Sequence, residues 1–478
     1  TYDYGTYGNL NKETYFTEIA HPDYTFRSDE SNNNYMRSFS HTVTFANDIN
    51  FSANHRLSLV YNYAHEKEHT NDTETLTYKD RTKTTLTDVI RKEDNLSNQN
   101  TFSMSYTGKT GKNSYLFLSA DYSIIDNDTK YTSDETNRQT LYNNYSLTNN
   151  DGKYNLATVN LVYNFALPYK IGAETGGRYY NTHHSLHYAT SYKMATNDQQ
   201  SNHQVLDDNV SAAYLTLQRS WKNVWASIGG RYEYSDTKIN IDTKSNSYKA
   251  ARHTSDFLPS ASVVWTPKQG LRFQAHYNRS IQRQGYMGLV PFSVYKDSLS
   301  YTSGNTQLLP GYTDTYSFYT TWKSLTLGFI YSHTTNEISN VTYNPDQNTD
   351  IVCEMPLNMN NSDSYQIFAS YRKSFGKLFF SGTASMRIPR FSYEYLGQKC
   401  KASKVSYNER LNRVQKAANN WMAGLQANLL DDCLSISLTF TDILHKANYN
   451  NLDYRYMNTR EGTYGSNDMR GISLSLSY

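Results

Sequence analysis

The sequence contains little cysteine and no long hydrophobic run. Only three cysteines, Cys353, Cys400 and Cys433, occur among its 478 residues, and they form no C-x-x-C pair. Such a small, odd number of widely spaced cysteines predicts neither a zinc site nor a disulfide framework, although a Cys353–Cys400 bond stays open as an alternative. Because no stretch reaches about 18 consecutive apolar residues, a transmembrane helix is excluded.

An excess of charge of one sign is also lacking. The chain carries 46 Lys and Arg against 44 Asp and Glu, a formal net charge of +2. No basic block stands out, so a nucleic-acid partner is not expected. The first ten residues, TYDYGTYGNL, have neither the basic nor the apolar segment of a signal peptide, which predicts that such a segment was removed or that the chain begins late.

The residues that are abundant favour β-structure. Only 37% of the residues are hydrophobic, yet 45 are tyrosines, and their dense alternation with polar residues is not typical of a disordered chain. Residues 471–478 read GISLSLSY, in which apolar and serine side chains alternate with a period of two. Similar segments predict strands with one apolar face and one face too polar for a dry core. We therefore expect the apolar faces to point at lipid and the polar faces at a wet interior.

Breaks between the alternating segments predict the architecture. Short breaks occur at 50–54, 107–113, 166–170, 220–223, 266–270, 321–324, 373–377 and 429–433, and long polar stretches such as 65–88 and 125–153 lie between them. Alternating short and long connections are typical of an antiparallel up-and-down transmembrane β-barrel in the outer membrane, with short periplasmic turns and long extracellular loops. The sequence thus predicts an all-β chain of about 17 strands, with residues 1–36 in a long loop.

Tryptophans supply a second indication. Trp221, Trp225, Trp265 and Trp322 all lie within a few residues of a predicted short turn. Amphipathic rings prefer the headgroup level of a bilayer, and barrels carry girdles of them. The alternative is that these are core residues of a β-sandwich.

Residues 271–318 carry a family resemblance. The segment resembles the Bacteroidota outer-membrane β-barrel family related to TonB-dependent receptors, in which a strand ending in Asn-Arg is followed by Arg-Pro, Leu-Asn-Pro-Phe and Gly-Asn-Pro-x-Leu-x-Pro-Glu steps. The sequence departs from this pattern at Gln284, Val290, Thr306 and Gly311. The matching residues are Asn278, Arg279, Arg283, Leu289, Pro291, Phe292, Gly304, Asn305, Leu308 and Pro310.

The resemblance implies a barrel of roughly 22 strands, plugged by an N-terminal domain and energised through TonB. Residues 1–478 are then one barrel domain that lacks the plug and the first strands. The expected function is import of a nutrient by a TonB-dependent receptor-like transporter. The alternative is a structural scaffold subunit of an outer-membrane complex. Expected partners are outer-membrane lipid and lipopolysaccharide, TonB through the missing plug, and surface lipoproteins or other outer-membrane subunits.

Candidate functional residues come from the polar faces, and no catalytic group or cofactor is predicted. A histidine cluster at His183, His184 and His187 offers a metal site as a less favoured alternative to a solvated loop. Residues expected to face the lumen or the plug, where they would hydrogen-bond to plug backbone or to passing solute, are Arg231, Arg272, Gln274, His276, Asn278 and Arg387.

Overall fold

The computed structural model describes most of the chain, and almost all of the described residues lie in strands. No helix in the described part is long or apolar enough to cross a bilayer. The described residues are 2–79, 83–193, 199–244, 247–285, 288–289, 293–375, 378–395, 398–402, 420–429, 434–441, 449–466 and 471–477.

These residues form 23 strands in one sheet, and one short 3-10 turn at Pro168–Lys170. The strands are β1 (Tyr2–Ala20), β2 (Thr25–Ser52), β3 (His55–Lys79), β4 (Thr84–Gly111), β5 (Ser114–Asn137), β6 (Asn143–Leu167), β7 (Ile171–Lys193), β8 (Gln199–Trp221), β9 (Val224–Thr243), β10 (Ser247–Lys268), β11 (Leu271–Gln282), β12 (Val294–Tyr295), β13 (Ser300–Thr302), β14 (Gly311–Trp322), β15 (Leu325–Tyr343), β16 (Val352–Phe375), β17 (Leu378–Tyr395), β18 (Gln398–Ala402), β19 (Asn420–Leu429), β20 (Leu434–Thr441), β21 (Tyr449–Tyr456), β22 (Thr459–Ser466) and β23 (Gly471–Ser477).

Eighteen of these strands form the wall, which is an antiparallel up-and-down sheet. Strands β1–β11, β14–β17, β19, β20 and β23 pair with one another in chain order. The hairpin of β21 and β22 pairs with β1, and it lies between β20 and β23 in the chain. Pairing between the first strand and this late hairpin means that the sheet curves round on itself, as the barrel prediction requires.

The strand count corrects one prediction. Residues 1–36 were expected to form a long loop, but β1 pairs along its whole length with β2, and only residues 21–24 connect them. This adds one wall strand to the predicted count of about 17.

Most polar stretches predicted as long loops are continuations of the strands. The stretch 65–88 lies in β3 and β4, which pair from His55 to Lys79, so only residues 80–83 connect them. Such strand ends are polar on both faces, so their sequences lack the alternation of apolar and polar residues. Backbone hydrogen bonds and polar pairs between neighbouring strands hold them together. The predicted short turns do fall between paired strands, as at Trp221–Val224 and Trp322–Leu325.

Apolar side chains change sides along the wall. Near the short turns they point outward and are exposed, including Phe45 at 66%, Ile228 at 65% and Phe318 at 47%. Near the other end, several apolar residues are buried, as Ile19 and Val341 are at 0%. A continuous exposed apolar band next to the short turns is suited to hydrocarbon, and about 11 residues of each tilted strand are enough to cross it. Three tryptophans, Trp221, Trp265 and Trp322, are 47 to 56% exposed at the short-turn rim.

A matched pair of substitutions tests which face meets lipid. Ile228 on β9 is 65% exposed and faces outward, in register with Leu217, four residues from the rim residue Trp221, whereas its neighbour Ser227 faces the opposite side. We expect Ile228→Arg to destabilise the protein folded into phosphocholine vesicles by about 2–4 kcal/mol, because the guanidinium enters hydrocarbon near the middle of the band. Ser227→Arg should be tolerated because its side chain enters water. Equilibrium refolding in guanidinium chloride measures the free energy of unfolding of both variants. An equal decrease in the two variants would contradict the assignment of the faces.

Candidate functional site: a loop folded into the barrel mouth

The connection between β11 and β14, residues 283–310, enters the interior of the barrel. We call it the mouth loop; it contains the short strands β12 and β13. Its residues contact Arg91 on β4, Tyr192 on β7, Leu206 on β8 and Val352 on β16. Strands so far apart along the sheet are reached from one loop only if that loop crosses the space that the wall encloses.

An ion-pair network anchors the beginning of the mouth loop. The Arg283 guanidinium bonds Glu233 Oε2 from Nη1 at 2.9 Å and Asp256 Oδ2 from Nη2 at 3.0 Å. Glu233 also accepts a hydrogen bond from Arg231 Nε at 2.6 Å. The Asp256 side chain is 4% exposed and that of Glu233 is 10% exposed. Buried carboxylates of this kind require a cationic partner, so Arg283 holds the loop against β9 and β10.

An apolar contact anchors the other part of the loop. Leu308 is fully buried and Leu289 is 7% exposed, and both belong to a cluster with Leu206, Ile239 and Ile241 of the wall. Burying a leucine side chain removes about 1.5–3 kcal/mol of unfavourable contact with water. The cluster therefore fixes the loop to the inner face of β8 and β9.

Backbone contacts fix the end of the loop. Leu309 N donates to Asn358 Oδ1 at 2.7 Å, and Asn358 Nδ2 donates to Leu309 O at 2.9 Å. Asn305 Nδ2 donates to Pro356 O at 3.3 Å, while Asn305 Oδ1 accepts from Gln307 N at 2.9 Å. These bonds join the end of the loop to β16.

The tip of the mouth loop reaches a cluster of carboxylates around one arginine. Arg91 Nη2 lies 3.6 Å from Asp297 Oδ2, and Arg91 Nη1 lies 3.7 Å from Asp72 Oδ2 and also bonds Glu74. The side chains of Arg91, Asp72, Glu74 and Asp297 are 13%, 15%, 1% and 12% exposed. One guanidinium thus faces several carboxylates in a largely buried setting.

Burial changes the protonation of this cluster, which lies well beyond the membrane-spanning band. Burial raises the pKa of Glu74 to about 9, and the charge of the neighbouring Glu30 carboxyl contributes to this increase. Burial likewise raises the pKa of Glu135 to about 7, with a contribution from Asp297. The pKa values of Glu30 and Asp72 are also raised by burial. The cluster therefore holds protons near neutral pH, which lowers the repulsion among its carboxyl groups.

The mouth loop and the wall enclose two cavities. One, of about 440 Å³, is lined by the carboxylate cluster and by residues of β1, β2 and β22. The other, of about 380 Å³, lies between the mouth loop and the inner face of β6–β10. Both volumes fall in the range of about 300–1,000 Å³ typical of small-molecule sites.

The predicted lumen residues of β11 share one face. His276 pairs in register with the buried Ser317, whereas the adjacent Ala275 pairs with the outward-facing Phe318. By alternation Arg272, Gln274 and Asn278 lie on the His276 face, away from the exposed apolar band. None of these four lines either cavity of the mouth, so their contact with a plug or a solute stays a prediction.

The two remaining lumen candidates lie elsewhere. Arg231 belongs to the Arg283 network through Glu233. Arg387 donates from Nε to Ser364 Oγ at 2.8 Å, and it is exposed. The structure therefore brings Arg231, but not Arg387, to the mouth loop.

The residues of the family resemblance are distributed around the mouth loop. Arg283, Leu289, Asn305 and Leu308 make the anchoring contacts described above, and Pro310 lines the 380 Å³ cavity. Gly304 lines a third cavity beneath the loop. Arg279 lies on the outer face of β11, 3.8 Å from Asp314. Pro291 and Phe292 lie outside the described residues.

The three histidines do not converge on a metal. They lie in β7 rather than in a loop, with His184 on the opposite face from His183 and His187. His184 stacks on Tyr154 with ring centroids 3.8 Å apart, and His183 Nδ1 lies 2.7 Å from Asp207 Oδ1. Among the described residues, no three His, Cys, Asp or Glu side chains are arranged to bind a metal ion. Cys353 is buried as a free thiol.

Sequence reasoning missed the Arg91 cluster. Glu74 lies in the stretch 65–88, which was interpreted as a polar loop, Arg91 follows that stretch, and Asp297 lies far along the chain. Each is an ordinary charged residue in a polar context. Only pairing of β3 with β4, together with the inward course of the mouth loop, brings them together.

The fold is similar to those of several solved outer-membrane proteins. The solved structure of the copper transporter OprC is 10% identical with a TM-score of 0.49, covering 96% of this chain and 81% of that chain. The siderophore receptor PiuA from Acinetobacter baumannii is 11% identical with a TM-score of 0.47, covering 96% and 82%. The ferric citrate transporter FecA is 10% identical with a TM-score of 0.46, covering 96% and 78%. No curated protein matches the sequence.

A family model matches well over half of the chain. The match spans residues 113–423, from the short turn before β5 to within β19, and so includes the mouth loop and both of its anchors. An all-β antiparallel wall with an outward apolar band is the architecture that this family's description requires. The chain belongs to the outer membrane protein beta-barrel family.

Proposed function

We propose that this outer-membrane barrel is a TonB-dependent receptor-like transporter that imports a nutrient. The end of the barrel opposite the short turns faces the exterior, and the short turns face the periplasm. An N-terminal plug outside the present chain closes the barrel and contacts TonB. The protein is an outer-membrane barrel of a Bacteroidota bacterium. Outer-membrane lipid and lipopolysaccharide surround the apolar band, and a surface lipoprotein is a further partner.

One observation carries this proposal: the mouth loop crosses the interior and closes two small-molecule-sized cavities with the wall. A barrel that serves only as a scaffold does not require interior cavities lined by ionisable and aromatic side chains. Receptors that capture solute before transport require such sites, because a bound solute must be held while the passage opens. Fold alone does not decide between these functions, so the site supplies the support.

Solute uptake in cells tests the proposal. A strain lacking the gene is compared with the same strain carrying the intact gene, and both receive labelled maltodextrin, a tryptic casein digest, ferric citrate or cobalamin. We expect one of these solutes to accumulate several-fold more in the complemented strain. Depletion of TonB, or collapse of the proton gradient by an uncoupler, should abolish that difference.

The alternative, a structural subunit of an outer-membrane complex, predicts a different outcome. Accumulation would then be independent of the gene and of the proton gradient, and stable partners would co-purify with the protein. That combination would contradict transport and favour the scaffold.

A further inference from the structure

The 380 Å³ cavity has an ordered inner wall made of cross-strand rows. Leu206, Ile239 and Ala250 pair in register across β8, β9 and β10 and form an apolar row. The next inward row, two residues along each strand, consists of Asp208, Thr237 and Arg252. Side chains two apart on a strand point to the same face, so both rows face the mouth loop.

The two anchors of the mouth loop leave part of the polar row uncovered. Leu289 and Leu308 pack on the apolar row on one side of it. Arg283 binds Glu233 and Asp256 on the other side. Between these contacts the loop meets the row through the hydrogen bond of Arg252 to Thr306 O, and Asp208 and Arg252 line the remaining space.

The two charges of this row retain unused hydrogen-bonding capacity. Asp208 accepts from Thr237 Oγ1 at 2.6 Å and from Tyr180 Oη at 3.2 Å. A carboxylate offers about four acceptor positions, so two hydroxyl donors orient it without saturating it. The hydrogen bond described for the Arg252 guanidinium runs to Thr306 O at 3.3 Å, while a guanidinium carries five N–H donors.

Asp208 and Arg252 bond to other groups rather than to each other: Asp208 to two hydroxyls and Arg252 to Thr306 O. They lie on strands separated by β9, so their Cα atoms are about 10 Å apart, two strand spacings. The charges of Arg231, Glu233, Asp256 and Arg283 are already paired with one another. A ligand that completes the row therefore needs a cationic group at Asp208, an anionic group at Arg252 and an apolar body against Leu206 and Ile239.

We propose that this cavity binds a short peptide with free termini and apolar side chains, with its ammonium group at Asp208 and its carboxylate at Arg252. Two extended residues span about 7 Å, so a dipeptide has the length to lie along a row whose two charged residues have Cα atoms about 10 Å apart. A single amino acid carries both charges on one carbon and does not bridge the row. The inference names the substrate class of the proposed transporter and rests on that function for its physiological meaning.

Binding of leucyl-leucine and its blocked derivatives tests the assignment of each charge. The purified protein in lipid nanodiscs is titrated calorimetrically with the free dipeptide, its N-acetyl form, its C-terminal amide and the doubly blocked form. We expect the free dipeptide to bind roughly 10- to 100-fold more tightly than either singly blocked form, because each block removes one charge-assisted contact. Equal binding of all four compounds, or no binding of the free dipeptide, would overturn the proposal.

Variants then separate recognition from a structural effect. Arg252→Gln should abolish the preference for the free carboxylate over the amide and keep the preference for the free ammonium group. Asp208→Asn should do the reverse. Lys249→Gln, an exposed change on the same strand, should alter neither preference. A uniform loss for all four compounds in both site variants would indicate a structural role and contradict recognition.

The binding experiment distinguishes a failure of the peptide-site proposal from a failure of the proposed import function. Binding in nanodiscs requires no energy source, so a dipeptide that binds but is not accumulated by cells would support the site and contradict import. Energy-dependent uptake of maltodextrin, with no dipeptide binding, would support import and overturn the peptide assignment.

Discussion

Replacing Arg283 with leucine is expected to release the mouth loop from β9 and β10 while the barrel wall stays folded. Glu233 would keep Arg231 as its partner, but Asp256, whose side chain is 4% exposed, would lose its cation. Removing one partner of a buried ion pair costs about 3–5 kcal/mol, because the other charge stays buried. We expect amide hydrogens of residues 293–310 to exchange faster by about two to three powers of ten.

Arg279→Leu is the matched control for this experiment. Arg279 is also a residue of the family resemblance, but its side chain is 38% exposed and lies 3.8 Å from Asp314 on the outer face. A half-exposed pair of this kind contributes about 0–1 kcal/mol, so exchange in the mouth loop should stay near that of the unaltered protein. Similar acceleration in both variants would show that Arg283 does not anchor the loop.

Replacing Arg91 with glutamine is expected to detach the tip of the mouth loop, and the effect should grow with pH. The folded-state pKa values of Glu135 and Glu74 are raised by burial to about 7 and about 9. Groups with raised folded-state pKa values stabilise the closed loop fully below their unfolded values, and this contribution is lost as pH rises through the folded values. The unaltered protein should therefore hold the tip more tightly at pH 5 than at pH 9.

The variant should exaggerate this dependence. Without the guanidinium, ionised Asp297, Asp72 and Glu74 repel one another, so the loss at pH 9 should reach about 3–5 kcal/mol. At pH 5 Glu74 carries a proton, so the loss should be much smaller. Hydrogen exchange of residues 293–302 across this pH range measures the effect. The control is Arg138→Gln, which removes an exposed ion pair with Asp88 and should produce no such pH dependence. An equal loss in Arg91→Gln at both pH values would show that the carboxylate cluster does not cause the pH dependence.

Local features of the chain were predictable. The short turns at 220–223 and 321–324 were found because a polar break between alternating segments is a local signal. The outward direction of the apolar faces was also correct for the band next to these turns, as Phe318 and Ile228 show. Leu474 and Leu476 of the segment 471–478, on which the same prediction was based, have side chains outside the described part of the chain.

Non-local features were not predictable. The stretch 65–88 was assigned to a loop because its two faces are equally polar, and its strand character depends on a partner strand. Arg283 was selected by family resemblance, but its role depends on Glu233 and Asp256, which precede it on two other strands. Arg91 was missed because nothing in its neighbourhood distinguishes it from a solvated arginine.

The sequence by itself determined that this chain forms paired strands with an apolar side against lipid, because a period of two and turn residues act within a few positions of the chain. Only the tertiary structure decided that the described part of the mouth loop lies inside the barrel, and that Asp208 and Arg252 face a cavity beneath it. The physical reason is that ion pairs and cavities depend on three-dimensional distance. Residues on separate strands acquire a common environment only after the sheet has curved and the loop has entered it.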